Sequence, residues 1–378
     1  MPPLTFFATC LLFLAKLPWC QAYSLTSRQD RACNNSPRLC SKPYDSITHL
    51  GAHNSPFLRD ASTGFSSFGN QFFNTSIQLS AGVRLLSTQV HIASNPQTGK
   101  RELHVCHSSC VLFDAGPLRT WLLEIRTWLD SNPHEVMTLV LVNMNNIDAR
   151  ELEGVYSEAD IAHYGYVPPD ISRAPPLSNQ TRATWPTLEK MIDGGSRLVS
   201  FVQPLKPDRE NAPYLLDQFT FVHENPYDVT EPGNFTCLPD RPEQYPTIAQ
   251  MQASGRMFLM NHMLYWKQAF GIEAPDTRNI ENTNAWNGEG ALGKHLLDCA
   301  GIAKRQPTFA LVDFFNVGPA INAVDIFNKV NRPVGRLVVT NENMDIGRSM
   351  KSVGRRVGLG TMAVWTAVPV TIATAFFV

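Results

Sequence analysis

The chain has 378 residues, with 32 Lys plus Arg against 33 Asp plus Glu, a net charge of -1 and 43% hydrophobic residues. That balance excludes the basic field that would draw a nucleic acid, and neither internal repeats nor low-complexity linkers interrupt the sequence. The apolar content suffices for a large buried core, and the length suits two ordinary domains or one (β/α)8 barrel, which takes roughly 250 residues.

Residues 1–22 read as a secretory signal: an apolar stretch from Leu4 to Leu17 is broken by charge only at Lys16, and Pro18 and the small Ala22 follow. Residues 23–44 form an N-terminal extension. With Cys10 and Cys20 lost alongside the signal, Cys33, Cys40, Cys106, Cys110, Cys237 and Cys299 remain, an even set that suits an oxidising compartment. Sequence alone leaves every pairing of the six open. Proximity favours Cys33 with Cys40 and Cys106 with Cys110, leaving Cys237 with Cys299. A zinc reading of Cys106 and Cys110 beside His104 and His107 competes, but no second Cys/His pair lies nearby. Asn34, Asn74, Asn179 and Asn234 begin glycosylation sequons and belong on the surface if used.

The barrel is expected over residues 45–335. Eight short apolar runs are expected as its strands: Ser46–Leu50, Val83–Val90, Leu103–Val105, Val136–Val142, Arg197–Val202, Gln218–Val222, Met257–Asn261 and Thr308–Asp313. Between them lie segments with helical spacing, such as Leu118, Trp121, Leu122, Ile125, Trp128 and Leu129, a stripe that reads as core packing. The longer connections Ile147–Thr187 and Asp228–Pro246 are placed to cover a barrel mouth. Polar residues gather at the downstream ends of the runs: His53 and Asn54, Gln89 and His91, His107, Asn143 and Asn145, His223 and Glu224, Asn261 and His262, and Asp313. In a (β/α)8 barrel that face collects the active site. Two histidines there can take a proton on one side of a reacting centre and give one on the other. His49, inside the first run, reads as a barrel filler.

Residues 336–356 form a polar spacer, and the tail 357–378 has no charged residue and is long enough to span a bilayer. Behind a signal peptide, such a tail is expected to be a glycosylphosphatidylinositol-attachment signal, with Gly347 and Ser349 as candidate sites. A retained span is the alternative, but it would set Arg355 and Arg356 on the outer face against the positive-inside tendency. The expected location is the extracellular face of the plasma membrane or the cell wall.

The order of Ser46-Ile-Thr-His-Leu-Gly-Ala-His-Asn-Ser-Pro56, Gly82-Val-Arg-Leu-Leu-Ser-Thr-Gln-Val-His91, Leu103-His-Val-Cys-His107, the Asn132-Pro-His-Glu turn and Pro307-Thr-Phe-Ala-Leu-Val-Asp-Phe-Phe-Asn316 resembles the phosphatidylinositol-specific phospholipase C-like phosphodiesterases, and most closely their fungal secreted members. The resemblance implies a TIM-type barrel and a phospholipid or other phosphodiester substrate. It further implies His53 as general base, His107 as general acid and Asp313 as the carboxylate that orients His53.

Three positions depart from that pattern. The family stabilises the anionic phosphorane with calcium or with an arginine on the second strand, where Ser87 and Gln89 stand here. Gln89, Asn54, Asn143 and Glu224 make a thin calcium set, so no cofactor is expected, with calcium as the alternative. Gln89 is expected to donate to a phosphoryl oxygen and His91, if protonated, to supply positive charge. Asn54 replaces an aspartate that supports the general acid in bacterial members. Glu224 and Tyr227 are candidates for a headgroup hydroxyl and for stacking on its ring. The competing reading is a catalytically silent surface barrel that binds inositol phosphates or glycans. A glycoside hydrolase ranks third, because no convincing acid pair accompanies Glu224 and Asp313.

Overall fold

A computed structural model of the chain describes residues 31–339, save 96, 180 and 268–272. The signal peptide, the apolar tail and all of the spacer beyond residue 339 lie outside the described residues. Twelve strands occur among the described residues. They are β1 (His49–Ala52), β2 (Leu85–Ser94), β3 (Arg101–Cys106), β4 (Asp114–Pro117), β5 (Met137–Asn143), β6 (Leu198–Gln203), β7 (Leu215–Asp217), β8 (Val222–Glu224), β9 (Met257–His262), β10 (Tyr265–Lys267), β11 (Glu273–Pro275) and β12 (Phe309–Val312). Eight of them pair in parallel in the order β7-β6-β5-β2-β1-β12-β9-β8. Read round the ring, that order is the order of the chain, the topology of a (β/α)8 barrel. No ladder joins β7 to β8 among the described residues, so the barrel is open at that seam.

The ring differs from the expected one by a member. Leu103–Val105 lies in β3, which runs antiparallel to the far half of β2, Val90 facing Val105, and then to β4. The reason is the connection: a parallel strand needs a crossover of about a dozen residues, whereas the short turn after Ser94 can only reverse the chain. The missing ring strand is β7. The run Gln218–Val222 divides, because the Asp217 carboxylate accepts from the Thr220 N–H at 2.8 Å and caps one helical turn, α1 (Gln218–Phe221), before β8 begins.

Alternation along the strands sorts the core into two layers. Leu85, Val140, Phe201, Leu216, Leu259 and Leu311 pack with Phe309, and Tyr44 and Trp185 join them from below. The Tyr44 hydroxyl lies 2.5 Å from Thr138 Oγ1, and its carbonyl accepts from His49 Nε2 at 3.0 Å, so His49 is a filler of the barrel floor. Leu86, Leu139 and Leu141 face the helix Leu118–Ser131, whose predicted stripe of Trp121, Leu122, Ile125, Trp128 and Leu129 is buried. Arg84, next to Leu85, turns away from the mouth and pairs with Glu135 at 2.6 Å. Gly51 leaves no room for a side chain: a Cβ there would lie 2.8 Å from Leu311 Cδ1 and 2.9 Å from Leu85 Cδ2.

The bridges are Cys33–Cys40, Cys106–Cys110 and Cys237–Cys299. Asn74, Asn179 and Asn234 are exposed, but Asn34 is not. It is 6% exposed and its amide is spent on both backbone groups of Val136, at 3.0 and 2.7 Å, so the folded chain withholds that sequon.

Candidate active site

β1 and β12 are neighbours in register, Ala52 opposite Val312, so the residues that follow them, His53 and Asp313, emerge side by side at the downstream end of the barrel. The His53 N–H donates to the Val312 carbonyl at 2.9 Å, and its Nδ1 lies 2.9 Å from Asp313 Oδ1. Asp313 is 1% exposed, whereas the His53 side chain keeps 16% of its surface. A carboxylate accepts only, so Nδ1 carries the proton and Nε2 the lone pair. Asn70 Nδ2 donates to the same Oδ1 at 2.9 Å, and Gln71 Nε2 donates to the His53 carbonyl at 2.8 Å.

His107 reaches the site from the arm of β2, β3 and β4 rather than from the ring. The Cys106–Cys110 bridge brackets it, and Gln89 Oε1 accepts from the Ser108 N–H at 2.8 Å, tying the turn to β2. The Phe57 and Phe68 rings flank the imidazole at 5.2 and 5.7 Å. Burial first, then the neighbouring charge of His53, pushes the His107 pKa down to about 4.

A cavity of about 350 Å³ opens beside the pair, with His53, Asn54, Ser87, Gln89 and Ser108 on one side. On the other side stand Glu224, Tyr227, Arg241 and Asn261. Glu224 is buried, lies 2.8 Å from Arg241 and accepts from Asn261 Nδ2 at 2.9 Å; burial pushes its pKa up while Arg241 opposes the rise. The Arg241 guanidinium also lies over the Tyr227 ring at 4.5 Å.

A family model described as PI-PLC X 1 matches residues 39–328. The chain belongs to the PI-PLC X family. It is 34% identical over 309 residues to "PI-PLC X domain-containing protein 1" of Arthroderma benhamiae, covering 82% of this chain and 93% of that one. It is 32% identical over 291 residues to an "Uncharacterized secreted protein" of the same fungus, covering 76% of this chain and 61% of the relative. Among solved structures, the phosphatidylinositol-specific phospholipase C from Listeria monocytogenes superposes with a TM-score of 0.46 at 16% identity, over 77% of this chain and 95% of the other.

Within the PI-PLC X barrel, His53, Asn54, Gln89, Glu224 and Tyr227 line one cavity, Asp313 stands directly behind His53, and His107, not itself a lining residue, is within electrostatic range of His53. Two expectations need correction. Asn143 is consumed by its own turn: its amide donates to the carbonyls of Ile147 and Pro204 at 2.9 and 3.0 Å and accepts from the Ile147 N–H at 2.8 Å. His91 lies on the arm opposite His104 and is not among the residues that line the cavity, and burial lowers its pKa. His262 is buried against His295, with Nδ1 atoms 2.9 Å apart, and its Nε2 donates to the Thr283 carbonyl.

The cavity wall carries a thin oxygen set for calcium among the described residues. Glu224 is the one carboxylate on the cavity wall among the described residues, and its oxygens are engaged by Arg241 and Asn261. A hard cation needs several free oxygens, with negative charge among them. Zinc has no better set, because Cys106 and Cys110 are bridged and His104 Nδ1 is 2.9 Å from Asp114. Sequence reasoning missed Arg241, Asn70 and Gln71. All three come from connections rather than strand ends, where no periodicity marks them.

Proposed function

We propose that this chain is a phosphoric diester hydrolase or lyase that cleaves an inositol-phospholipid-like phosphodiester by histidine acid–base catalysis without a metal. The observation that carries the proposal is the His53–Asp313 contact of 2.9 Å at the cavity wall with His107 within electrostatic range of His53. His53 Nε2 takes the proton of the substrate hydroxyl next to the phosphodiester, whose oxygen bonds to phosphorus as the bond to the departing alkoxide breaks. His107 gives its proton to that alkoxide. For an inositol phospholipid the products are a cyclic phosphodiester and a diglyceride. Asp313 fixes the His53 tautomer and stabilises the imidazolium as it forms.

His107 rests neutral at neutral pH, because an imidazolium there would be desolvated beside His53. The anionic phosphodiester brings the counter-charge that favours its protonated form. Arg241 is the one cationic side chain on the cavity wall among the described residues and supplies positive potential from the far side. The neutral Asn54 and Gln89 and the neutral resting His107 also favour a second reading, a silent barrel that binds inositol phosphates or glycans.

Substitution separates the two. Turnover of phosphatidylinositol in chelator that is lost in both H53A and H107A, with vesicle binding retained, supports the enzyme; binding with no turnover by the wild-type chain supports the silent barrel. The proposed setting is the cell exterior, reached through the signal peptide and held by the lipid anchor. Release of the chain from intact cells by an anchor-cleaving lipase tests the anchor.

A further inference from the structure

We propose that Asn70 is a positioning residue for the His53–Asp313 pair, fixing the carboxylate so that His53 keeps its proton on Nδ1 and presents Nε2 as the base. The inference rests on the phosphodiesterase reading above. Asn70 is fully buried, and its Nδ2 lies 2.9 Å from Asp313 Oδ1 and 3.3 Å from His53 Nδ1. One carboxylate oxygen thus receives two donors, the imidazole N–H and the amide N–H, while Oδ2 has no hydrogen-bond partner. The terminal torsion of an aspartate is broad, so one hydrogen bond to a ring leaves the carboxylate free to swing. A second donor on the same oxygen, from another part of the chain, fixes its plane.

The backbone around Asn70 is itself held. Its N–H donates to the Phe57 carbonyl at 2.8 Å, and its carbonyl accepts from the N–H of Phe314, the residue after Asp313, at 2.9 Å. Gln71 clamps the other side: Nε2 donates to the carbonyls of His53 and Val312 at 2.8 and 3.2 Å, and Oε1 accepts from the Phe315 N–H at 3.3 Å. Gln71 therefore holds the backbone of both catalytic strand ends, and Asn70 holds the charge between them. The same connection supplies Phe57 and Phe68 to His107, so one segment touches both histidines.

The test is nitrogen NMR of the histidine-labelled full chain at neutral pH, comparing wild type with N70A and N70S. In wild type, His53 shows the Nδ1–H tautomer with a hydrogen-bonded, downfield Nδ1 proton. Both variants are expected to lose that proton signal and mix tautomers, with kcat lower by about 10- to 100-fold and KM within about twofold. The buried His49, bonded to the Tyr44 carbonyl, reports folding: its signal stays in place in a folded variant. If N70A fails that check, N70S, which keeps a small polar side chain, decides. A folded variant whose His53 keeps the Nδ1–H signal and wild-type kcat overturns the inference. The spectrum needs no substrate, so a chain that turned over no phosphodiester would refute the enzymatic reading while leaving the tautomer result to decide Asn70.

Discussion

Asp313 carries most of the electrostatic argument at the scale of single residues. Its carboxylate is nearly inaccessible and meets His53 at 2.9 Å, so D313N replaces the acceptor with an amide that favours the wrong tautomer. By analogy with buried carboxylates behind catalytic histidines, kcat is expected to fall by about 10³- to 10⁴-fold, with little change in the melting temperature. Steady-state kinetics beside a thermal melt checks both. His107 sets the pH dependence. Its pKa of about 4 in the free enzyme means that the protonated, productive form becomes more abundant as pH falls through the range above that value. kcat/KM is therefore expected to carry a limb that falls as pH rises and that is absent from H107A, and a limb unchanged in H107A would refute His107 as the acid. His53, His107 and Asp313 were all legible in the sequence, because each closes a run of strand-forming residues. Arg241 was not, since a lone arginine in a proline-containing loop has no local signature; only the fold sets it against Glu224 and Tyr227.

Among the elements, the proposed catalysis draws most on the arm. β2 runs past the ring and is met by β3 and β4, so His107, the proposed acid, sits on a hairpin outside the barrel. Two devices hold it there, the Cys106–Cys110 bridge and the Gln89 side chain under the Ser108 N–H. A C106S/C110S variant is expected to lower kcat about tenfold or more, with a melting temperature within a few degrees of wild type, because the arm packs outside the main ring. A loss of melting temperature as large as that from a core truncation would instead make the bridge a support of the fold. Sequence patterning found this arm but misjudged its role, since an apolar run of three residues looks the same in a hairpin as in a buried parallel strand. The three-residue β7 escaped for the opposite reason: its run merges with the turn that Asp217 caps.

For the whole molecule, buried histidines couple the fold to pH. Burial holds His49 and His223 at about 4, below the ordinary value of 6.5, and lowers His262 and His295 in the same direction. Between pH 6.5 and 4 the unfolded chain binds protons that the folded chain refuses, so stability falls as pH falls through that window. Each such histidine adds a slope of about 1.4 kcal/mol per pH unit at most. Urea midpoints at pH 7 and pH 5 should show the loss, and H49F, which removes one titrating group from the floor, should flatten it. Acid therefore favours the protonated His107 while it loosens the barrel. The barrel class itself was legible as eight apolar runs, and the even cysteine set with its proximity pairing matched the three bridges. What sequence could not give was closure, since an open seam between β7 and β8 depends on strand lengths too short to pattern.

The measurement that tests the account most directly is phosphorus NMR of the purified chain with phosphatidylinositol, run in calcium and in chelator, beside H53A and H107A. The account predicts a cyclic phosphodiester signal of equal rate in both buffers for wild type and none for either variant. A signal that requires calcium, or one that persists undiminished without His53, would contradict it.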